Sequence, residues 1–171
     1  LKNWVEFAKA NDDIDPLIKM AILHYQFEAI HPFTDGNGRT GRVLNVLYLT
    51  QAGLIDKPVL YLSKFINAFK ADYYRLLLGV TESSDWEAWV IYMLKAVKAT
   101  AEETLKKLNQ IFELLHNTIE KVRTEAGDIY SRELVDMLFV QPYCKISFLV
   151  NGGIASRNTA SKYLNRLVDL G

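Results

Sequence analysis

His31-Pro32-Phe33-Thr34-Asp35-Gly36-Asn37-Gly38-Arg39-Thr40-Gly41-Arg42 gathers a base, a carboxylate, three glycines and two arginines into one short stretch. No packing requirement asks for that mixture. Upstream, Asp15 before Pro16 reads as an N-cap followed by the residue type preferred at the first helical position, and a dense apolar segment runs from there to Ile30. The proline after His31 disfavours the α conformation at His31, so this helix is expected to stop there. Downstream, a second helix is expected from about Gly38 to Ala52, with Gly53 as its C-terminal cap and Pro58 barring continuation. The stretch is therefore a loop between two helices, with the C-terminal end of one dipole meeting the N-terminal end of the next.

That geometry gives the letters a chemistry. The free amides of Gly36, Asn37, Gly38 and Arg39 sit at a positive helix end suited to phosphate, and glycines let ligand oxygens approach the backbone closely. Arg39 and Arg42 are three apart and share a helix face, where two guanidinium forks can clasp further phosphate oxygens, so a triphosphate fits better than a single phosphate. Bare phosphate would repel Asp35, but a Mg²⁺ between carboxylate and phosphates makes the neighbourhood favourable. His31, at the end of the first helix and beside the loop, is placed to act as a general base toward a hydroxyl.

Rival readings fail on spacing. Gly36 and Gly41 match the glycine interval of a P-loop, but Arg42-Val43 stands where Lys and Ser/Thr are required. An EF-hand starting at Asp35 needs Gly at Thr40 and Glu at Val46. A zinc site on His24 and His31 lacks a third ligand nearby.

The stretch resembles the signature of the Fic family, His-x-Phe-x-Asp/Glu-Gly-Asn-Gly-Arg-x-x-Arg, with every fixed position met. Similarity extends to Pro16-Leu17-Ile18, His24-Tyr25-Gln26-Phe27-Glu28, Leu60-Tyr61-Leu62-Ser63, Tyr73-Tyr74 and Trp86-Glu87-Ala88-Trp89, and looks like the bacterial subgroup with a C-terminal winged helix. The resemblance implies a protein adenylyltransferase that moves AMP from ATP to a Tyr, Thr or Ser hydroxyl of a target protein. It implies His31 as the base, Asp35 as the Mg²⁺ ligand, Gly36, Asn37 and Gly38 as the anion cradle, and Arg39 and Arg42 on the outer phosphates. Thr40 and Gly41 complete the implied nucleotide-binding stretch, Phe33 is an implied apolar anchor, and Tyr73 an implied nucleotide contact. The alternatives are a Fic enzyme of another activity (removal of AMP, phosphocholine or phosphate transfer), or a DNA-binding or scaffold protein with a vestigial site. The target-aligning flap and the inhibitory Ser/Thr-x-x-x-Glu helix common in the family have no visible match here.

The rest of the chain reads as helix. Ser63 is expected to cap a third helix ending near Gly79, and the stretch from Trp86 to Ala126 holds neither Gly nor Pro, so one very long helix or two coaxial ones is expected. Only Val59 to Leu62 and the surroundings of Ile129 look strand-like. The class is all-α, with a Fic core and connector over residues 1–125 and a helix-turn-helix unit over 126–171. In that unit Glu133 to Phe139 and Lys145 to Val150 read as helices, Asn151-Gly152-Gly153 as a turn, and a third helix follows the cap Ser156. The third helix turns Ala155, Thr159, Ala160, Leu164 and Leu167 inward and exposes Arg157, Asn158, Lys162 and Arg166. Residues 145–171 could serve either DNA or protein contact, and any wing lies past Gly171.

Composition sets outer limits. Of 171 residues, 50% are hydrophobic and 23% charged, with 20 Lys and Arg against 20 Asp and Glu, so no global field draws this chain to nucleic acid or an anionic membrane. The single cysteine, Cys144, reads as a buried thiol in a reducing compartment. No apolar run is long enough to span a membrane, and the start at Leu1 has no signal-peptide grammar, so a cytoplasmic fragment is expected, with a homodimer a further candidate assembly. Area scaling gives roughly 28,000 Å² for the unfolded chain and about 8,600 Å² for one folded domain of this mass.

Overall fold

The computed structural model describes residues 1–171 as nine helices and no strand. They are α1 (Lys2–Lys9), α2 (Pro16–Ile30), α3 (Asn37–Gln51), α4 (Leu62–Ala68), α5 (Lys70–Ser83), α6 (Trp86–Glu125), α7 (Arg132–Leu138), α8 (Ile146–Asn151) and α9 (Arg157–Leu170). Helix α2 begins as its letters require: the Asp15 carboxylate accepts from the Leu17 amide at 2.8 Å, with Pro16 inside the first turn. It stops at His31, which takes the left-handed conformation (φ 48°, ψ 56°) and so turns the chain sharply into the loop.

The chain divides into two compact units, Leu1–Leu105 and Lys106–Gly171. In the first, α2 is sunk among its neighbours. Met20, Ala21, Leu23 and Phe27 are buried, and the indoles of Trp89 and Trp4 donate to the carbonyls of Ala21 (2.9 Å) and Leu23 (2.8 Å). These bonds satisfy both indole donors while locking α6 and α1 to α2. Lys19 is buried too. Its ammonium bonds to the Ala10 carbonyl (2.7 Å) and to Asp12 (2.8 Å), whose carboxyl it holds below the ordinary carboxylate range.

In the second unit, Val122 and Ala126 at the end of α6 pack with Val135, while Leu134, Leu149 and Ala160 form a neighbouring cluster. The accessible surface, 11,191 Å², exceeds the single-domain expectation because two small cores bury less than one large core of the same mass. No helix is long and apolar enough to cross a membrane.

Several expectations need correction. Val59 to Leu62 forms no strand; Leu62 instead opens α4, and the surroundings of Ile129 are turn. A strand needs a partner to take its backbone bonds, and this all-helical unit offers none. The expected third helix is two: Phe69 (φ −116°, ψ 41°) breaks it, and the residue preceding α4 is Tyr61, not Ser63. Residues 86–125 do form one continuous helix. An initial helix, α1, forms where none was expected.

Candidate active site

The loop between α2 and α3 is held by its own asparagine. Asn37 Nδ2 donates to the Phe33 carbonyl at 2.6 Å and its Oδ1 accepts from the Phe33 amide at 2.9 Å, a two-bond clip over four residues. Asn37 is 2% exposed, so its side chain fixes the loop and only its amide remains for a ligand. Gly36, the N-cap of α3, has φ 82°, a left-handed value that glycine adopts at least cost. No side chain caps this helix end. The first intrahelical bond available to it runs from the Thr40 amide to the Gly36 carbonyl, which leaves the amides of Asn37, Gly38 and Arg39 at a positive dipole end.

Asp35 and Arg39 stand at the mouth, their carboxylate and guanidinium 3.2 Å apart, with side chains 90% and 75% exposed. The other Asp35 oxygen accepts from the Gly36 amide at 2.7 Å. That bond removes one amide from the cradle and presents the carboxylate beside the remainder. His31 is exposed, and its imidazole bonds to no protein group. Phe33 is half exposed, with its ring 6.3 Å from that of Phe27.

Arg42 lies deeper. Its Nε donates to Ser63 Oγ at 2.8 Å, which ties α3 to α4, and its Nη1 folds back over Gly38. A cavity of about 730 Å³ opens beside it, with Arg39 and Arg42 at one end and Val43, Leu47, Leu60 and Tyr61 along its apolar wall. Volume and lining suit a ligand with an anionic end and a flat apolar end. A magnesium ion bound to nucleotide phosphates needs one or two carboxylates, not a full protein cage. The exposed Asp35, with lone pairs free beside the amides, fits that demand, and no cluster of three metal-ligating side chains exists elsewhere.

Two of the residues read as nucleotide contacts lie on the other side of α3. Gly41 is buried against α2: a Cβ there would lie 2.7 Å from Glu28 Oε1 and 3.0 Å from the His24 ring. Tyr73 is 4% exposed, and its hydroxyl is 3.0 Å from His24 Nε2. The structure thus brings His31, Asp35, Gly36, Gly38, Arg39 and Arg42 together around the loop, with Thr40 half-buried just behind, and sets Gly41 and Tyr73 beneath it.

This underside is polar and was not read from the sequence. His24 Nδ1, Glu28 Oε1 and Asn45 Nδ2 are buried without hydrogen-bond partners. Burial drives the His24 pKa down to about 4, with the Arg42 charge adding to it, so the ring is neutral. Burial likewise raises the Glu28 carboxyl, against the opposing charges of Arg42 and His31. The signal was present as spacing: His24 and Glu28 are four apart on α2, and Gly38 and Gly41 three apart on α3. Ser63, read as a helix cap, is instead the partner of Arg42.

In the second unit, Arg157, Asn158, Lys162 and Arg166 are exposed on α9 as expected, and Arg166 donates to the Glu125 carbonyl at 3.1 Å. Cys144 is half-buried and free, its thiol pushed up by burial.

Comparison with known proteins meets this geometry at both ends of the chain. Residues 1–49 match the model of the Fic/DOC family, and residues 114–171 match that of the C-terminal domain of SoFic-like protein adenylyltransferases. A probable protein adenylyltransferase of Aquifex aeolicus is 41% identical over 68 residues, 40% of this chain and 20% of that protein. Protein adenylyltransferase fic-1 of Caenorhabditis elegans is 37% identical over 89 residues, 52% of this chain and 16% of its own length. Protein adenylyltransferase Fic of Nematostella vectensis is 30% identical over 126 residues, 74% of this chain and 27% of its own. The matched stretch thus spans between 16% and 27% of these relatives. With the complete signature folded as a loop between two helices, inside the stretch that matches the Fic/DOC model, the chain belongs to the Fic/DOC family.

Proposed function

We propose that this chain carries the catalytic site of a Mg²⁺-dependent protein adenylyltransferase, which moves AMP from ATP to a Tyr, Thr or Ser hydroxyl of a target protein. The observation that carries the reading is the uncapped N-terminus of α3, flanked by His31 on one side and by Arg39 and Arg42 on the other. The names of the relatives support it.

In this reading the amides of Asn37, Gly38 and Arg39 receive phosphate oxygens, and the two guanidinium groups neutralise the outer phosphates. Asp35 would hold a Mg²⁺, which when bound would screen phosphate charge and polarise the phosphorus under attack. His31 takes the proton of the target hydroxyl as its oxygen bonds to the α-phosphorus. The bond from that phosphorus to the bridging oxygen breaks, and pyrophosphate leaves. The exposed, unpaired imidazole is open to an incoming protein side chain, as such a base must be. Gly41 and Tyr73 act from beneath, by fixing the pitch of α3 against α2. The α9 face is proposed as a contact surface for DNA or protein.

Incubation with a target lysate and ATP labelled at either the α or the γ position tests the assignment. Label from the α position alone is expected. Label from the γ position alone would mean phosphate transfer and overturn it.

A further inference from the structure

A second cavity, of about 510 Å³, opens among α4, α5 and the first half of α6, entirely within the first unit. Its floor is aromatic. The ring of Phe65 lies 4.7 Å from that of Phe69 and 5.5 Å from that of Tyr92. The Tyr92 hydroxyl is already used on the Phe69 carbonyl at 3.3 Å, so the floor presents ring faces and no free donor. Phe69 and Ile91 are 49% and 42% exposed here, large apolar side chains left facing solvent beside the buried Tyr92.

The rim is charged and unbalanced. Arg75 pairs with Asp72 at 2.9 Å and Lys98 reaches Glu102 at 3.9 Å, but Lys95, on the same stretch of α6, has no ion-pair partner. An apolar basin with ring faces below and one uncompensated ammonium at the edge is complementary to a flat apolar body bearing a single negative charge. The volume is in the range of small-molecule sites.

We propose that this cavity is a second ligand site, separate from the motif loop, for a small aromatic monoanion: its rings lie on Phe65, Phe69 and Tyr92, and its anionic group pairs with Lys95. A protein segment offering an aromatic next to an acidic residue is the competing occupant. Small size, a closed ring floor and a single unpaired cation favour the small molecule.

Two probes of matched shape test this on the 171-residue chain: anilinonaphthalene sulfonate and its uncharged parent, phenylnaphthylamine. Fluorescence titration is expected to give saturable 1:1 binding of the sulfonate, about tenfold tighter than the neutral probe at low salt. Lys95→Glu, at an exposed position, is expected to erase that advantage while leaving the neutral probe bound, and Ala99→Trp to fill the basin and weaken both. Equal affinity of the two probes for the unaltered chain overturns the proposal, as does an anion preference that survives Lys95→Glu. No saturable binding of either probe also overturns it and leaves the cavity to a protein segment. Neither substitution touches His31, Asp35 or the arginines, so the outcome is independent of whether the motif transfers AMP.

Discussion

Helix α3 has two faces built under opposite constraints. Outward stand Asp35 and Arg39, with side chains mostly in solvent, alongside an unpaired His31. Inward lie His24, Asn45 and Tyr73, at 1%, 3% and 4% exposure, with Gly41 pressed against the first of them. The outward residues contribute little to the fold, because an exposed ion pair is worth about 0–1 kcal/mol. The inward ones are structurally expensive, since a buried polar atom without a partner costs about 1–3 kcal/mol. One motif thus carries two kinds of requirement, and substitutions should separate them: outward changes cost chemistry and spare stability, inward changes do the reverse.

The largest separation is expected at His31. Replacement by Ala should lower transfer by about 10² to 10⁴, the usual range for loss of a general base. Nucleotide affinity should change little, since the proposed base would act on the incoming hydroxyl. Label incorporation beside equilibrium binding of a fluorescent ATP analogue measures both. Undiminished transfer would remove His31 from the mechanism.

The inward face predicts acid sensitivity. His24 is neutral when folded, with a pKa of about 4, and titrates near 6.5 when unfolded, so between those values the unfolded chain binds more protons. Its contribution to stability is full above pH 6.5 and is lost as pH falls toward 4, by about 2 kcal/mol on reaching pH 5. Urea unfolding at pH 7.5 and 5 should show the drop, and His24→Gln should flatten the pH dependence. An identical slope in both proteins would assign the acid lability elsewhere.

Gly41→Ala comes next. The new methyl would meet Glu28 Oε1 at 2.7 Å and the pinned His24 ring at 3.0 Å, an overpacking cost of about 1–3 kcal/mol. Higher helix propensity returns up to about 1 kcal/mol, so a net loss of about 1–2 kcal/mol is expected. A thermal melt checks it, and a stabilised variant would show that Glu28 swings aside freely.

Punctuation explains what could be read from sequence. Asp15-Pro16, His31-Pro32 and Gly53 mark the ends of α2 and α3 because each acts through its own local backbone preference. The break at Phe69 carries no such mark; tertiary packing of the aromatic residues on either side imposes it. At the site, the letters give the residue types of His31, Asp35 and the arginines, but type does not give direction. Gly41 serves equally a close-approaching phosphate or a close-approaching helix. Only the placement of α2, with Glu28 and His24 turned toward it, shows which neighbour it meets. Tyr73 lies more than forty residues from His24 in sequence, and no periodicity links them.

The smallest expected effect on the fold, and the sharpest contrast with Gly41, is at Asp35. Its carboxylate is 90% exposed, its pairing with Arg39 is a surface ion pair, and its bond to the Gly36 amide satisfies a group that water can reach instead. It does not cap α3, since no side chain does. Asp35→Ala should therefore shift stability by less than about 0.5 kcal/mol. Loss of the carboxylate should nonetheless abolish the magnesium dependence of ATP affinity, because no second acidic side chain stands at the loop to take its place. Titration of the nucleotide with and without Mg²⁺, next to a melting curve, reads both quantities on one sample. A variant that melts several degrees lower while keeping its magnesium dependence would place Asp35 on the structural side of the helix and reverse the division between the two faces.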